Sequence, residues 1–455
     1  MSGRRAIALT LLLLWPVAAF GGRSAAVAIP FSVSCVLFAL TLRPSLARPD
    51  ILRPLDYALV AIALFTIVQA VPAPRFVLNA LSPHSAPVRV ALMLDPAAAP
   101  PWLSLSIDPR ATAWASLEVI GAIALFFAAR AVFTFGGVRQ TVRGISAIGL
   151  AVSAVAIAQA ATAGRLIYWH FRTEYEGPLP FGPFVNRNHF ATWTIMAVPL
   201  CLGYIVARAN KTEPGQATFA SRRTRLARLA DGRTLWLTVA GAVMICALLL
   251  SLSRSGIVSL AGAAVVSAMF LRPRASAGRG WWLVAAVVVT VGLGVARADL
   301  PAVADRFTRS GSGVENRLRI WKDTLPLVRD FWLTGTGAGT YRTAMFYYQR
   351  SDRVVQFNQA HNHYLQAAAE GGAVLLTLIG WALMALVRAV RERLLADVHG
   401  TYWIRAGATA GLMAVALQSL WETGLVMPAN AGLAAVLAAV AVHERLPAEK
   451  SIFMD

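Results

Sequence analysis

HNHYLQAAAEGGAVLLTLIGWALMALV, residues 361–387, decides how this chain is read. From Gln366 onward it is an apolar run long enough to cross a bilayer, which needs about 20 residues. Its first three residues are His-Asn-His, and they close the one long polar stretch of the chain, residues 297–365. A span that starts on ionisable side chains predicts a polar site at a membrane surface.

Outward from that stretch, apolar runs recur from end to end. The chain has 455 residues, 57% hydrophobic and 14% charged, whereas soluble domains carry about 25% charged residues. The runs are continuous rather than alternating, which disfavours a β-barrel. The expected fold is all-α: a polytopic membrane protein with twelve spans, near 6–22, 24–42, 55–72, 111–130, 144–162, 189–207, 234–252, 255–271, 281–298, 366–387, 403–421 and 427–443. These group into N-terminal helices (1–162), central helices with polar outer segments (163–296), a large outer loop (297–365) and C-terminal helices (366–455). In the loop, Trp321, Trp332, Phe346, Tyr347 and Tyr348 predict short amphipathic helices on the membrane surface.

The net charge of +20 belongs to topology, not to nucleic acid. Lys and Arg favour cytoplasmic loops. With the N-terminus inside, the inner segments hold 24 Lys/Arg and the short outer loops 8. No basic patch is interleaved with exposed aromatics as nucleic-acid binding usually requires. Cys35, Cys201 and Cys246 lie in apolar runs without metal-ligand spacing and read as small hydrophobes. Arg4-Arg5 followed by an apolar stretch has the outline of a signal peptide, but no clear A-x-A site follows, so a retained helix is expected.

Several polar segments suit chemistry. His361 and His363 flank Asn362. Histidine titrates near neutrality, so it can take a proton from a hydroxyl, a contribution of typically 10²–10⁴-fold. H-x-H also supplies two zinc ligands, though no third is obviously placed. The bland alternative is a polar helix start. Glu370 either faces the same cavity or belongs to the first turns of the helix. Arg254, in SLSRSG between two apolar runs, either grips an anion through its guanidinium fork or caps a tight turn and snorkels outward. Arg317, Arg319 and Lys322 make ENRLRIW basic, either as a phosphate site or as a solvated helix anchored by Trp321. Asn186 and Asn188, in FVNRNHF, cap a span or contact a sugar. GTGAGT (335–340) lacks the βαβ context of a dinucleotide fingerprint and reads better as a close-packing turn. No D-x-D pair or carboxylate cluster suited to Mg²⁺ occurs, so a bound pyrophosphate needs arginines. Glu118, Glu370 and Glu422 fall near the outer ends of spans. Proton-coupled carriers usually place ionisable groups deeper, which disfavours a transporter or flippase.

Four stretches in order, GPFVNRNHFA, SRSG, R-x-x-x-W followed by LTGTGAGTY, and AHNHYLQAAAEGG, resemble the O-antigen ligase/polymerase superfamily of bacterial envelope glycosyltransferases. The resemblance covers roughly residues 180–390. It implies a cofactor-free, metal-independent inverting transferase in the bacterial inner membrane, with its site facing the periplasm. The donor would be an undecaprenyl-pyrophosphate-linked glycan. The acceptor would be lipid A-core for a ligase, or a growing polysaccharide for a polymerase. By position, Arg254 and Arg317 (or Arg319) would hold the pyrophosphate, His361 would activate the acceptor hydroxyl and Asn362 would support it. Ligase-like members often carry Gly, Thr or Tyr three residues after the glycine that Gly372 matches; here that residue is Leu375.

Overall fold

The computed structural model describes residues 2–46, 50–92, 102–172, 179–209, 231–271, 311–352, 354–397 and 401–444. The described chain is almost wholly helical. Its helices are α1 (Ser2–Ala18), α2 (Ala25–Leu42), α3 (Arg53–Ala70), α4 (Arg75–Leu81), α5 (Ser85–Leu92), α6 (Pro109–Thr134), α7 (Val138–Ala163), α8 (Arg187–Ala209), α9 (Gly232–Leu250), α10 (Arg254–Leu271), α11 (Gly311–Asp330), α12 (Tyr341–Tyr348), α13 (His363–Ala396), α14 (Thr401–Gln418) and α15 (Pro428–Val442). Two short antiparallel pairs, Pro72–Pro74 with Trp102–Ser104 and Leu166–Ile167 with Phe171–Arg172, are the described strands.

Seven described helices, α2, α3, α6, α7, α8, α9 and α13, are long and apolar enough to cross a membrane. α1, α10, α14 and α15 coincide with four more of the expected spans. The expected span at 281–298 lies outside the described residues.

α8 is the most buried of the seven, and α14 runs antiparallel against it. Small residues permit the approach: a Cβ on Gly407 would meet the carbonyl of Pro199, one on Gly203 the carbonyl of Trp403, and one on Gly411 the carbonyl of Met196. Such small-residue seams let helix backbones pack closely where the surroundings are apolar. The antiparallel register brings the start of α8 beside the residues that follow α14, and the site is built there.

α13 is two helical pieces. Gly372 sits at φ 59°, ψ −158°, a conformation essentially restricted to glycine. The expected continuous span 366–387 is therefore broken near its start. The break leaves backbone groups without helical partners, which must be satisfied elsewhere. The loop after α11 satisfies them. Ala373 and Val374 donate to the carbonyls of Trp332 and Leu333 at 2.7 and 3.1 Å, while Thr336 and Gly337 donate to those of Ala369 and Glu370 at 3.0 and 2.9 Å. Gln69, wholly buried on α3, binds the carbonyls of Thr334 and Glu370 through Nε2 at 2.8 and 2.9 Å, and accepts from Ala338 N at 3.1 Å. The glycines of GTGAGT allow this docking; a side chain on Gly335 would strike the Glu370 backbone.

The polar segment before α13 departs from the expectation of short helices only, since α11 runs for 20 residues. It has its own small core. Leu327 and Phe331 of α11, Tyr341, Met345 and Tyr348 of α12, Ala360, and Val88 of α5 are buried together. Trp321 is no mere interfacial anchor, since its Nε1 donates to the carbonyl of Ala360 at 2.9 Å and pins the residue before His361. A buried pair joins α3 to α6: Arg130 grips the fully buried Asp56 at 2.5 and 2.9 Å.

Candidate active site

Glu422 is the centre of the polar cluster. It follows α14, is fully buried, and receives donors from four chain segments. His361 Nδ1 lies 3.2 Å from Oε1. Asn188 Nδ2 donates to Oε2 at 2.7 Å. Arg317 Nη2 lies 3.7 Å from Oε2, an ion-pair distance beyond a direct hydrogen bond. The backbone N–H of Thr423 donates to Oε1 at 3.2 Å. Burial pushes the carboxyl up, but the His361 hydrogen bond and the electrostatic pull of His361, His189 and Arg317 outweigh it and hold Glu422 at about 2. Glu422 is an anion at neutral pH.

His361 is fixed from both sides along the chain. Ala360 N donates to Gln366 Oε1 at 3.2 Å and Ala360 O receives Trp321. Asn362 is the N-cap of α13, its side chain accepting from Leu365 N at 3.0 Å. His363 N donates to the carbonyl of Ser419 at 2.8 Å. Between these anchors His361 takes φ +48°, uncommon for a non-glycine residue and concentrated at functional sites. Its ring keeps 32% of its surface exposed while Glu422 has none.

The FVNRNHF and SRSG segments meet behind Glu422. Asn186 caps α8, accepting from Asn188 N at 2.8 Å. Asn188 is a strut: its Nδ2 serves Glu422 and its Oδ1 accepts from Ser253 Oγ at 2.8 Å. Ser255 Oγ lies 3.3 Å from Ser253 Oγ and accepts from Gln418 Nε2 at 3.3 Å. Arg254, between these two serines, is exposed at the first residue of α10.

The structure thus brings His361, Arg317 and Asn188 onto one carboxylate, with Asn362 next to His361, Asn186 capping the helix that carries Asn188, and Arg254 next to Ser253, which donates to Asn188. It takes two other expected residues elsewhere. Arg319 pairs with Glu315 on the exposed face of α11 at 2.6 Å. Glu370 receives the N–H groups of Gly339 and Tyr341 at 2.9 and 3.3 Å, so it ties the glycine loop to α13. The N–H groups of Gly335, Thr336, Gly337, Ala338 and Gly339 are all engaged within the protein, which assigns the loop to packing. His363 Nδ1 is buried without a hydrogen-bond partner among the described residues. Among the described residues no group of three or more His, Cys, Asp or Glu is placed to hold a metal ion.

Glu422 was the residue that motif reading passed over. The one signal is its isolation: an acid in WETG between two apolar runs, with no Lys or Arg within ten residues on either side, must find its partners in distant sequence.

Residues 239–380 match the family model for O-antigen ligase. That segment holds three of the four stretches on which the resemblance rests, from SRSG to AHNHYLQAAAEGG, and supports the superfamily assignment. GPFVNRNHFA and Glu422 lie outside it. No curated protein matches the chain.

Proposed function

With residues 239–380 those of the O-antigen ligase/polymerase superfamily as the premise, we propose that this multi-pass membrane protein transfers a glycan from undecaprenyl pyrophosphate to a hydroxyl of lipid A-core at the periplasmic face of the inner membrane. The observation that carries the proposal is the shared carboxylate: His361 and Arg317, from separate motifs, both contact Glu422. A base and a cation held on one buried anion suit a reaction that removes a proton at one point and gathers negative charge at another.

In this reading the acceptor hydroxyl attacks the anomeric carbon opposite the pyrophosphate. The new C–O bond forms from the acceptor oxygen, the bond from the anomeric carbon to the pyrophosphate oxygen breaks, and the configuration inverts. The hydroxyl proton passes to His361 Nε2. Undecaprenyl pyrophosphate departs with its charge met by Arg317 and Arg254. Guanidinium forks suit phosphate oxygens, and preorganised charge at a departing anion is commonly the largest catalytic contribution. The arginines do the work that a divalent cation does in other transferases.

Leu375, where ligase-like members carry Gly, Thr or Tyr, favours as second reading a polymerase extending lipid-linked repeats. A deletion strain separates them. Long glycan retained on undecaprenyl beside bare core lipid is the ligase outcome. Single repeats without long chains mean polymerase. His361→Ala should abolish complementation while leaving the protein folded in the membrane; normal complementation by that variant would sink both.

A further inference from the structure

We infer that Glu422 is the positioning residue of this site: it fixes the tautomer and orientation of His361 and holds Arg317 at a set distance from it, without touching substrate. The inference rests on the transferase reading and deepens it.

The geometry gives each carboxylate oxygen a separate task. Oε1 faces His361 Nδ1 at 3.2 Å, and Oε2 takes Asn188 at 2.7 Å and faces Arg317 at 3.7 Å. Asn188 Nδ2 and Thr423 N are both N–H donors to this carboxylate, so Glu422 serves as acceptor throughout. The proton between Glu422 and His361 then sits on Nδ1, and the Nε2 lone pair is left for a hydroxyl. An imidazole's reactive nitrogen is set by the bond its other nitrogen makes. When Nε2 takes the acceptor proton, Nδ1 keeps its own, the imidazolium charge forms beside an existing anion, and Glu422 stays ionised.

Burial argues against direct contact with the reactants. Glu422 is wholly enclosed, while His361 and Arg317 retain 32% and 28% side-chain exposure. A buried carboxylate is expensive unless fully paired. Here its partners come from residues 188, 317, 361 and 423, so the anion exists only when α8, α11, the α13 entry and the end of α14 are together. The left-handed backbone of His361 indicates that the ring's approach to Oε1 is held by its surroundings rather than by local preference.

The test uses the full chain in lipid nanodiscs, with lipid-linked glycan and envelope lipid extracted from a strain lacking the protein. Release of undecaprenyl pyrophosphate is the readout. Glu422→Gln should lower kcat on the order of 10²-fold, the upper range found when the outer partner of a metal-bound histidine is lost, with donor KM rising less than the roughly tenfold expected of Arg317→Ala. Glu422→Asp, which keeps the charge, should recover at least about tenfold of that loss. His361→Ala/Glu422→Gln should be no slower than His361→Ala, since the carboxylate acts through the imidazole. A rise in KM with unchanged kcat, no recovery in Glu422→Asp, or losses that multiply in the double variant would each overturn the inference. So would failure of both single variants to fold, which would make Glu422 a scaffold residue only. If His361→Ala alone keeps the wild-type rate, the transferase reading fails first; a His361-dependent rate indifferent to Glu422→Gln defeats only this inference.

Discussion

Asn188 donates to Glu422 at 2.7 Å and so connects the first turn of α8 to the residue that follows α14. The same amide accepts from Ser253 at 2.8 Å. One side chain therefore couples the FVNRNHF segment, the SRSG turn and the central carboxylate.

Two substitutions at Asn188 separate its hydrogen bonds from its space. Asn188→Ala removes the shortest donor to a buried anion and should cost about 1–3 kcal/mol, the usual range for leaving such a group underpaired. Asn188→Asp has nearly the same shape but sets a second carboxylate against Glu422. It should lower the unfolding temperature in detergent further than Asn188→Ala and abolish transfer. If Asn188→Asp is the milder of the two, the strut assignment is wrong.

Arg317 and Arg319 are two residues apart on α11, and the structure sends them in different directions. Arg317 faces Glu422, whereas Arg319 pairs with Glu315 in the open. Exposed pairs of the latter kind contribute little. Arg319→Ala should leave both melting temperature and donor KM unchanged, and Arg317→Ala should raise donor KM about tenfold or more through loss of a charge-assisted phosphate contact. The reverse pattern in donor titrations would mean that α11 sits in another register.

Those two arginines also mark how far sequence reading reached. Hydropathy located the helices because twenty apolar residues have few other uses. His361 was legible because an ionisable group at the edge of an apolar run is costly and so conspicuous, whereas Asn362 and Arg317 stood out only through the motifs of the resemblance. Choosing between Arg317 and Arg319 needed the rotation of one helix, which ENRLRIW alone does not set. Glu370 was left open between facing the same cavity and belonging to the first turns of the helix, and its partners lie about thirty residues away in the glycine loop. Glu422 was hidden because a lone acid has no motif; its meaning comes from Asn188, more than two hundred residues earlier, and from a helix register set by glycines. The break at Gly372 was hidden too, since Gly-Gly in an apolar run is tolerated in an ordinary membrane helix.

That break yields the third prediction. Gly372→Ala forces a side chain into the Leu333 backbone at φ 59°, and Gln69→Leu strands the carbonyl of Thr334 and Ala338 N and leaves the Glu370 carbonyl only its bond from Gly337 N. Each should cost roughly 2–4 kcal/mol, combining strain or unpaired buried groups. Limited proteolysis should cut between α11 and α13 in both variants at protease levels that spare the wild type. Wild-type resistance in either would show that the loop does not depend on the contact removed.

Acid stability gives the fourth. Glu422 is held at about 2 in the folded protein against an ordinary value of 4.5. A depressed carboxyl stabilises the folded state fully above its unfolded value, and that contribution is lost as pH falls through the folded value. The window is therefore between about pH 4.5 and 2, and the amount is on the order of 3 kcal/mol at 1.36 kcal/mol per unit. The His361 hydrogen bond and the electrostatic pull of His361, His189 and Arg317 are what hold the carboxyl down against its burial. Comparison with Glu422→Gln isolates the group, because every other carboxylate titrates in both proteins. In an acid-stable detergent, the wild-type advantage in unfolding temperature should be full at pH 5, shrink below about pH 4 and be nearly gone at pH 2. A difference that stays constant across that range would mean that Glu422 is not the ionised centre of the cluster, and the tautomer assigned to His361 would lose its basis.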